Sequence, residues 1–341
     1  MYISIVRKTV FTFVAASCAF LFFSSFNAEK IKDIPEQENI SAEKKNLPAT
    51  LAVGNEATSG EAVEASSDNV KSAAPLTLSS AAAIMLDSDI LAFYGHPVAK
   101  KMGILGRYPK DELTKKLSAL ADEYRAESGG RGIVKAFYII YGTVQPEGNI
   151  LTMDQIDKTL LKEWIEYAQE RGMLIFLDHQ IGKYDPVKSL ASMFQYLKYP
   201  NVHLAIDPEW RTTKPMLEFG CVTGDEINRA QQAMQDYILE NNIEGDRMLV
   251  IHQFREVMIR NRADIKADFE RVRLVHCMDG VGTPKEKLDT YKFNALAKNI
   301  PVKAFKLFYD FKLPGVLVDT PLLTPKEVYA LDPRPAVIMY Q

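Results

Sequence analysis

Two short stretches decide how the fold of this chain is interpreted: MLIFLDHQ (173–180) and VHLAIDPEW (202–210). Each begins as a near-continuous apolar run of strand length and ends in polar and acidic side chains. A run that is apolar at every position is typical of a parallel strand covered on both faces, because a half-exposed strand alternates. The two stretches therefore predict buried parallel strands whose ends carry Asp178, Asp207 and Glu209.

Six further runs of the same kind occur along the chain. They are ILAFYGH (90–96), VKAFYIIYG (134–142), RMLVIHQF (247–254), RVRLVHCMD (271–279), VKAFKLFYD (302–310) and AVIMYQ (336–341). Helical patterns lie between the runs, and four begin with a capping box, a Thr followed three residues later by Glu or Gln, at Thr152, Thr223, Thr283 and Thr324. Alternating strands and helices predict an α/β fold, a closed (β/α)8 barrel of the TIM type ending at its eighth strand.

A doubly wound open sheet is the alternative architecture. The dinucleotide-binding pattern Gly-x-Gly-x-x-Gly, the usual companion of such a sheet, does not follow the first run. The candidate domain, residues 86–341, also agrees with the ~250 residues of a typical barrel. The barrel is therefore the preferred prediction.

The N-terminal segment predicts export. Two basic residues precede the apolar stretch 9–26, which is the pattern of a signal peptide or an uncleaved membrane anchor within residues 1–28. The sequence AASC (15–18) partly matches a lipoprotein box, so lipidation at Cys18 is a further alternative. The protein is expected to be periplasmic or extracellular, with the membrane as a partner through this segment.

Composition sets further bounds. Residues 29–85 lack aromatic side chains and are rich in Glu, Lys, Ala, Ser and Asn, so they are expected to form a disordered linker. The net charge of -3 shows no excess of basic residues, which argues against nucleic acid as a partner. Beyond the signal only Cys221 and Cys277 remain, too few for a disulfide framework, and they form either one bridge or two separate thiols.

The polar ends of the strands form the candidate site, because barrel enzymes carry their chemistry at the C-terminal ends of the strands. Four of the five histidines of the chain lie at these ends, whereas His203 lies at the start of its run and is expected to be a hydrogen-bonded structural residue. A cap or a loop hydrogen bond is the ordinary explanation for a single polar residue there. Capping does not require histidine, so the set as a whole indicates a functional site.

Asp207 and Glu209 suggest acid–base chemistry. Residues i and i+2 of a strand project to the same face, so both carboxylates are expected to point into the barrel mouth. Crowded carboxylates raise one pKa and retain a proton, which glycoside cleavage requires of its general acid. We therefore expect Glu209 to be the general acid, Asp207 to tune it, and Asp178 or Asp279 to supply the second carboxylate.

Other residues near the strand ends are candidates for binding a glycan. Aromatic faces suit sugar rings, and polar groups suit hydroxyls. Lys306 is expected to face the barrel interior, either paired with Asp207 or Glu209 or acting as a Schiff-base amine. The candidates are Tyr94, His96, His179, Gln180, Trp210, His252, Gln253, His276, Lys306 and Tyr309.

Two other functions remain open. His96, His252 and His276, with acidic neighbours, could hold a divalent metal for a metal-dependent hydrolase. The chain lacks His-Glu-x-x-His and the first-strand His-x-His, so no cofactor is predicted. A barrel that binds an envelope ligand without turning it over is the third interpretation, because no complete catalytic signature is present.

The segments AFYGHP, MGILG, FLDHQIG, VHLAIDPEW, IHQF, MDGVG, KLFY and MYQ together resemble an uncharacterised family of exported bacterial proteins, often labelled lipoproteins. The resemblance covers residues 90–341 and implies export and a glycoside-hydrolase-like (β/α)8 barrel, without implying a catalytic role for any residue. The Asp-x-Glu of the fourth run is also similar to that of lysozyme-like muramidase barrels. The first-strand aspartate of those enzymes has no counterpart in ILAFYGH.

Overall fold

The structure is a computed structural model that describes residues 78–341. The predicted signal or anchor segment (1–28), with Cys18, and most of the predicted linker lie outside the described residues. Within residues 78–341, no helix combines the length and the apolar content needed to cross a bilayer.

Eight parallel strands close into a barrel. Each pairs with its neighbours, and β1 pairs with both β2 and β11, so the ring has no open edge. The barrel strands are β1 (Ser88–Gly95), β2 (Gly132–Val144), β4 (Leu174–Gln180), β5 (Val202–Asp207), β7 (Arg247–His252), β9 (Val272–Met278), β10 (Val302–Leu307) and β11 (Val337–Tyr340). The predicted (β/α)8 barrel is confirmed, and the open sheet is excluded.

Three short strands lie outside the ring. Strand β3 (Ile150–Thr152) pairs antiparallel with the end of β2, and β6 (Val222–Thr223) pairs with β8 (Ile259–Arg260). These short pairs bring together loops that follow the C-terminal ends of barrel strands, so they help to shape the rim.

Helices cover the outside of the barrel. They are α1 (Ala81–Asp87), α2 (Lys110–Glu127), α3 (Met153–Ile156), α4 (Lys158–Gln169), α5 (Pro186–Ala191), α6 (Gly224–Glu240), α7 (Pro284–Ala295) and α8 (Pro325–Tyr329). All four predicted capping boxes form, and they start α3, α6, α7 and α8. In each box the Thr hydroxyl accepts from the N3 amide while the Gln or Glu side chain accepts from the Thr amide.

The strands separate two apolar layers. Alternate residues such as Ala92 and Phe176 fill the barrel interior, whereas their neighbours in sequence pack against the helices. Ala81 and Ile84 of α1 belong to the interior layer, so this helix packs on the barrel although its sequence lies in the predicted linker. The packed domain therefore reaches back to at least Ala81.

The two cysteines of the described chain are both free. Cys277 is buried inside the barrel and Cys221 is half-buried in a rim loop. Of the two predicted alternatives, separate thiols are the one observed.

Candidate active site at the barrel mouth

The strand that carries Asp207 ends at that residue. Pro208–Trp210 forms a 3₁₀ turn, and Pro208 has no N–H with which to continue the sheet. The Asp207 carboxylate caps the turn by accepting from the Glu209 amide at 3.3 Å. The expectation that Asp207 and Glu209 share one face of a strand is therefore wrong, because strand alternation stops at Asp207. Asp207 is both a cap and a buried acid.

His252, the last residue of β7, is the centre of the site. Its Nδ1 lies 3.1 Å from Oδ2 of Asp279, and its Nε2 lies 2.9 Å from the Tyr138 hydroxyl. Nε2 is also 3.5 Å from Oδ2 of Asp178. His252 and Asp178 are fully buried. The imidazole is thus held between two carboxylates inside the barrel.

Tyr94 and Lys306 extend this cluster to β1 and β10. The Tyr94 hydroxyl donates to Oδ2 of Asp178 at 2.8 Å. The Lys306 ammonium lies 3.7 Å from the centroid of the Tyr94 ring, a cation–π contact. Both residues are two positions beyond alanines of the interior layer, Ala92 and Ala304, so strand alternation places them on the inner face.

Asp207 and Glu209, at the mouth of the barrel, have raised pKa values. Burial raises the pKa of Asp207 to about 7, with the charge of His252 opposing the shift and that of Asp279 adding to it. Burial also raises the pKa of Glu209 well above its ordinary value, and the charges of Asp207 and Asp279 add to that effect. Glu209 is half-buried at the rim. The pair can therefore retain a proton near neutral pH.

Around His252, by contrast, the ionised forms of the imidazole and of Asp279 are favoured. Burial acts to lower the pKa of His252, but the charges of Asp178 and Asp279 raise it well above its ordinary value. Burial acts to raise the pKa of Asp279, but the charge and hydrogen bond of His252 hold it below its ordinary value. An imidazolium beside an ionised Asp279 is the favoured state, so acids of the same mouth are driven to different protonation states.

Several polar atoms of this cluster have no partner. Oδ1 of Asp178 and Oδ1 of Asp279 are buried and form no hydrogen bond within residues 78–341. Lys306, 4% exposed, likewise has no hydrogen-bond acceptor among these residues. Buried polar atoms are normally satisfied, so these two carboxylate oxygens mark a place where polar groups of a ligand can bind.

Two of the predicted binding residues lie outside the barrel interior. His276 alternates with the interior residues of β9, and its Nε2 is 2.9 Å from Oε1 of Gln253. Its Nδ1 is 3.3 Å from the ammonium of Lys303, which lies on the outer face of β10. His276 and Gln253 therefore belong to a buried network between barrel and helices, not to the mouth.

His179 and Tyr309 are also directed outward. The His179 ring packs against Tyr141 and against Gly142, where an added Cβ would lie 2.8 Å from the ring. Burial lowers the pKa of His179 to about 4. Tyr309 stacks on Tyr340 in the outer layer, with ring centroids 5.0 Å apart. None of these rings faces the barrel interior.

The remaining candidates lie at the rim. Gln180 accepts from the Val144 amide at 2.8 Å, which links the ends of β2 and β4. Trp210 is half-buried at the end of the 3₁₀ turn. His96 is buried in the loop after β1, and burial lowers its pKa to about 4.

The proposed metal ligands do not converge. His252 lies inside the barrel, His276 outside it, and His96 in a separate loop. Among the described residues, no three His, Cys, Asp or Glu side chains are arranged to hold a metal ion. The residues present therefore do not fit the three-histidine site that the sequence left open.

Two features of the site escaped sequence analysis. Tyr138 contacts His252 but lies in the middle of β2, so a search of strand ends passes over it. Phe254 follows the end of β7 and packs against the outer apolar layer, and a Cβ added at Gly280 would lie 3.2 Å from its Cβ. Phe254 packs edge-on against Phe219, which is 43% exposed. Inward alternation along β2 was the available signal for Tyr138.

Comparison with solved structures finds similarity at low sequence identity. The chain is similar to an oxaloacetate acetylhydrolase (10% identity, 78% of this chain and 80% of that chain, TM-score 0.39). It is also similar to a glycoside hydrolase family 5 enzyme from Prevotella bryantii B14 (12%, 75% and 89%, TM-score 0.38). A third similar structure is endo-glycoceramidase II from Rhodococcus sp. (12% identity, 73% of this chain and 72% of that chain, TM-score 0.40). No family model and no curated protein matches the chain.

Proposed function

We propose that the barrel hydrolyses a glycan of the cell envelope, with Glu209 as general acid and Asp279 as the ionised second carboxylate. The observation that carries this proposal is that two acids of the same mouth, Glu209 and Asp279, have pKa values shifted in opposite directions. Glu209 is driven toward its protonated form, whereas His252 keeps Asp279 ionised. Glycoside cleavage needs one carboxyl group in each state on either side of the scissile bond.

Each group then has a defined task. Glu209 donates its proton to the leaving glycosidic oxygen, and Asp279 either stabilises the positive charge that develops on the sugar or activates water. Oδ2 of Asp279 faces His252, while Oδ1 has no hydrogen-bond partner among residues 78–341. Asp207 holds the turn that carries Glu209 and raises the pKa of that acid through its charge.

The unpartnered polar atoms suit a sugar. A hydroxyl group both donates and accepts, so neighbouring hydroxyls can donate to Oδ1 of Asp178 while accepting from Lys306. The predicted export segment supports an envelope glycan as the class of substrate.

The test is the Glu209→Gln variant, assayed on peptidoglycan strands and on oligomers of N-acetylglucosamine. Gln keeps the shape of the side chain but cannot donate the proton, so turnover should fall by about 10²–10⁴-fold. Product release is measured by mass spectrometry of new reducing ends. The matched control is Glu256→Gln, an exposed glutamate on the loop after β7, which should keep wild-type turnover.

Equal turnover by the wild type and Glu209→Gln would refute the assignment of the general acid. Binding of a glycan by the wild type without any product would instead favour a barrel that binds its ligand and does not cleave it.

A further inference from the structure

Lys306 differs from the other buried lysines of the described chain. The Lys287 ammonium lies 2.9 Å from Asp319 and donates to the carbonyls of Gly280 and Lys306, each at 2.7 Å. The Lys303 ammonium donates to the Ala297 carbonyl at 2.9 Å. The Lys306 ammonium has no such acceptor among residues 78–341, although the side chain is almost fully buried.

The ring contacts of Lys306 do not replace an acceptor. Its Nζ lies 3.7 Å from the Tyr94 centroid and 5.1 Å from that of Phe308. A cation–π contact is weaker than a direct ion pair with a carboxylate in a desolvated site. The predicted ion pair of Lys306 with Asp207 or Glu209 is absent, because neither carboxylate lies within 4.0 Å of the ammonium.

The carboxylates of the mouth make their contacts with groups other than Lys306. Asp178 and Asp279 both face His252, and Asp178 also accepts from Tyr94. Asp207 caps the turn before Glu209, and burial favours its protonated form. No carboxylate of residues 78–341 lies within 4.0 Å of the Lys306 ammonium, so a direct anionic partner for it can be supplied by a ligand.

We propose that Lys306 binds a carboxylate of the ligand, so that the glycan in the mouth carries an acidic sugar. This inference rests on the proposed function for the identity of the ligand as a glycan. A charge-assisted hydrogen bond to a carboxylate is worth about 1.5–3 kcal/mol, which corresponds to about 10–100-fold in affinity.

A different role for Lys306 makes a different prediction. Its charge lowers the pKa of Asp207, Glu209 and Asp279, and that effect needs no contact with the ligand. If Lys306 acted only on these acids, the charge of the ligand would not matter for binding. Affinity for acidic and neutral forms of one glycan separates the two roles.

The experiment measures binding to the full-length chain by calorimetry with two pairs of probes. One pair is a peptidoglycan tetrasaccharide with free or methyl-esterified lactyl carboxylates, and the other is tetragalacturonate with free or methyl-esterified carboxylates. The wild type should bind the free acid of at least one pair about 10–100-fold more tightly than its ester. Lys306→Met should lose this preference, and Lys306→Arg, which keeps the charge, should retain most of it.

Equal affinity for acid and ester in both pairs, or binding of neither pair, would overturn the inference. Preference for the acid without cleavage would support the inference while refuting the proposed hydrolase. Cleavage of neutral N-acetylglucosamine oligomers, with no preference for either acid, would support the hydrolase and refute the inference. Thermal unfolding of Lys306→Met and Lys306→Arg shows whether each variant is folded.

Discussion

The two ends of the barrel treat their buried acids differently. At the N-terminal end, Oδ1 of Asp89 accepts from Arg131 at 2.9 Å and its Oδ2 accepts from Arg334. At the C-terminal end, one oxygen of Asp178 and one of Asp279 have no hydrogen-bond partner within residues 78–341. The acid at the N-terminal end is fully paired, whereas those of the mouth remain able to accept from a ligand.

Asp246 repeats the pattern of the N-terminal end. Its Oδ1 accepts from the Ser80 hydroxyl at 2.9 Å and its Oδ2 accepts from Arg273 at 2.7 Å. In barrels, the N-terminal end generally serves stability and the C-terminal end serves function. The contrast teaches that burial of an acid alone does not indicate a site. A buried acid whose oxygens are not all used by the protein does.

The largest expected effect is loss of turnover in Asp279→Asn. This change removes the ionised carboxylate of the mouth and should lower turnover by about 10²–10⁴-fold, equivalent to about 3–5 kcal/mol. The free energy of unfolding should also fall, because the buried imidazolium of His252 loses one of its two carboxylates, although the Asn carbonyl can still accept from Nδ1. Turnover and thermal unfolding are measured on the same preparation. If the Asp279→Asn variant were folded and fully active, the claim that the incompletely paired acids of the mouth serve function would be contradicted.

The next effect is a loss of stability in Asp89→Asn. Asp89 is the shared acceptor of Arg131 and Arg334, and both guanidinium groups are about one-third exposed. Removal of the charge should lower the free energy of unfolding by about 2–3 kcal/mol, less than for a fully buried pair because solvent screens the arginines. Urea unfolding measures the change. Turnover of the folded variant should remain that of the wild type, and a selective loss of turnover would contradict the division between the two ends.

The smallest effect is a pH dependence that belongs to the mouth. Burial, with the Asp279 charge, raises the pKa of Asp207 to about 7. The folded state then binds more protons than the unfolded state between about pH 4 and pH 7, so stability falls as the pH rises through this window. Between about pH 5 and pH 7 the loss should be on the order of 2 kcal/mol.

Asp207→Asn should remove the share of this slope that belongs to Asp207, and urea unfolding of the wild type and the variant at the two pH values measures the difference. Glu209 and His252, whose pKa values are also raised, add a fall in stability of the same sign that remains in this variant, whereas the lowered pKa of Asp279 acts below its ordinary value of 3.8. An unchanged slope in Asp207→Asn would mean that another group carries the titration.

The strand-end rule located much of the cluster but could not sort it by face. Asp178 and His179 are consecutive residues at the end of β4, and only Asp178 faces the interior. Cys277 faces the interior while His276, one residue before it, does not. Adjacent strand residues alternate between faces, so an error of one position in register exchanges the two sets.

What the sequence determined by itself was the fold. The near-continuous apolar runs and the four capping boxes are local patterns, and each indicates its own element without knowledge of the others. What only the tertiary structure decided was the chemistry of the mouth. The protonation of His252, and the lack of an acceptor for the Lys306 ammonium within residues 78–341, depend on which groups closure of the barrel places around them. Such distances between strands far apart in sequence are set by packing, and no local pattern encodes them.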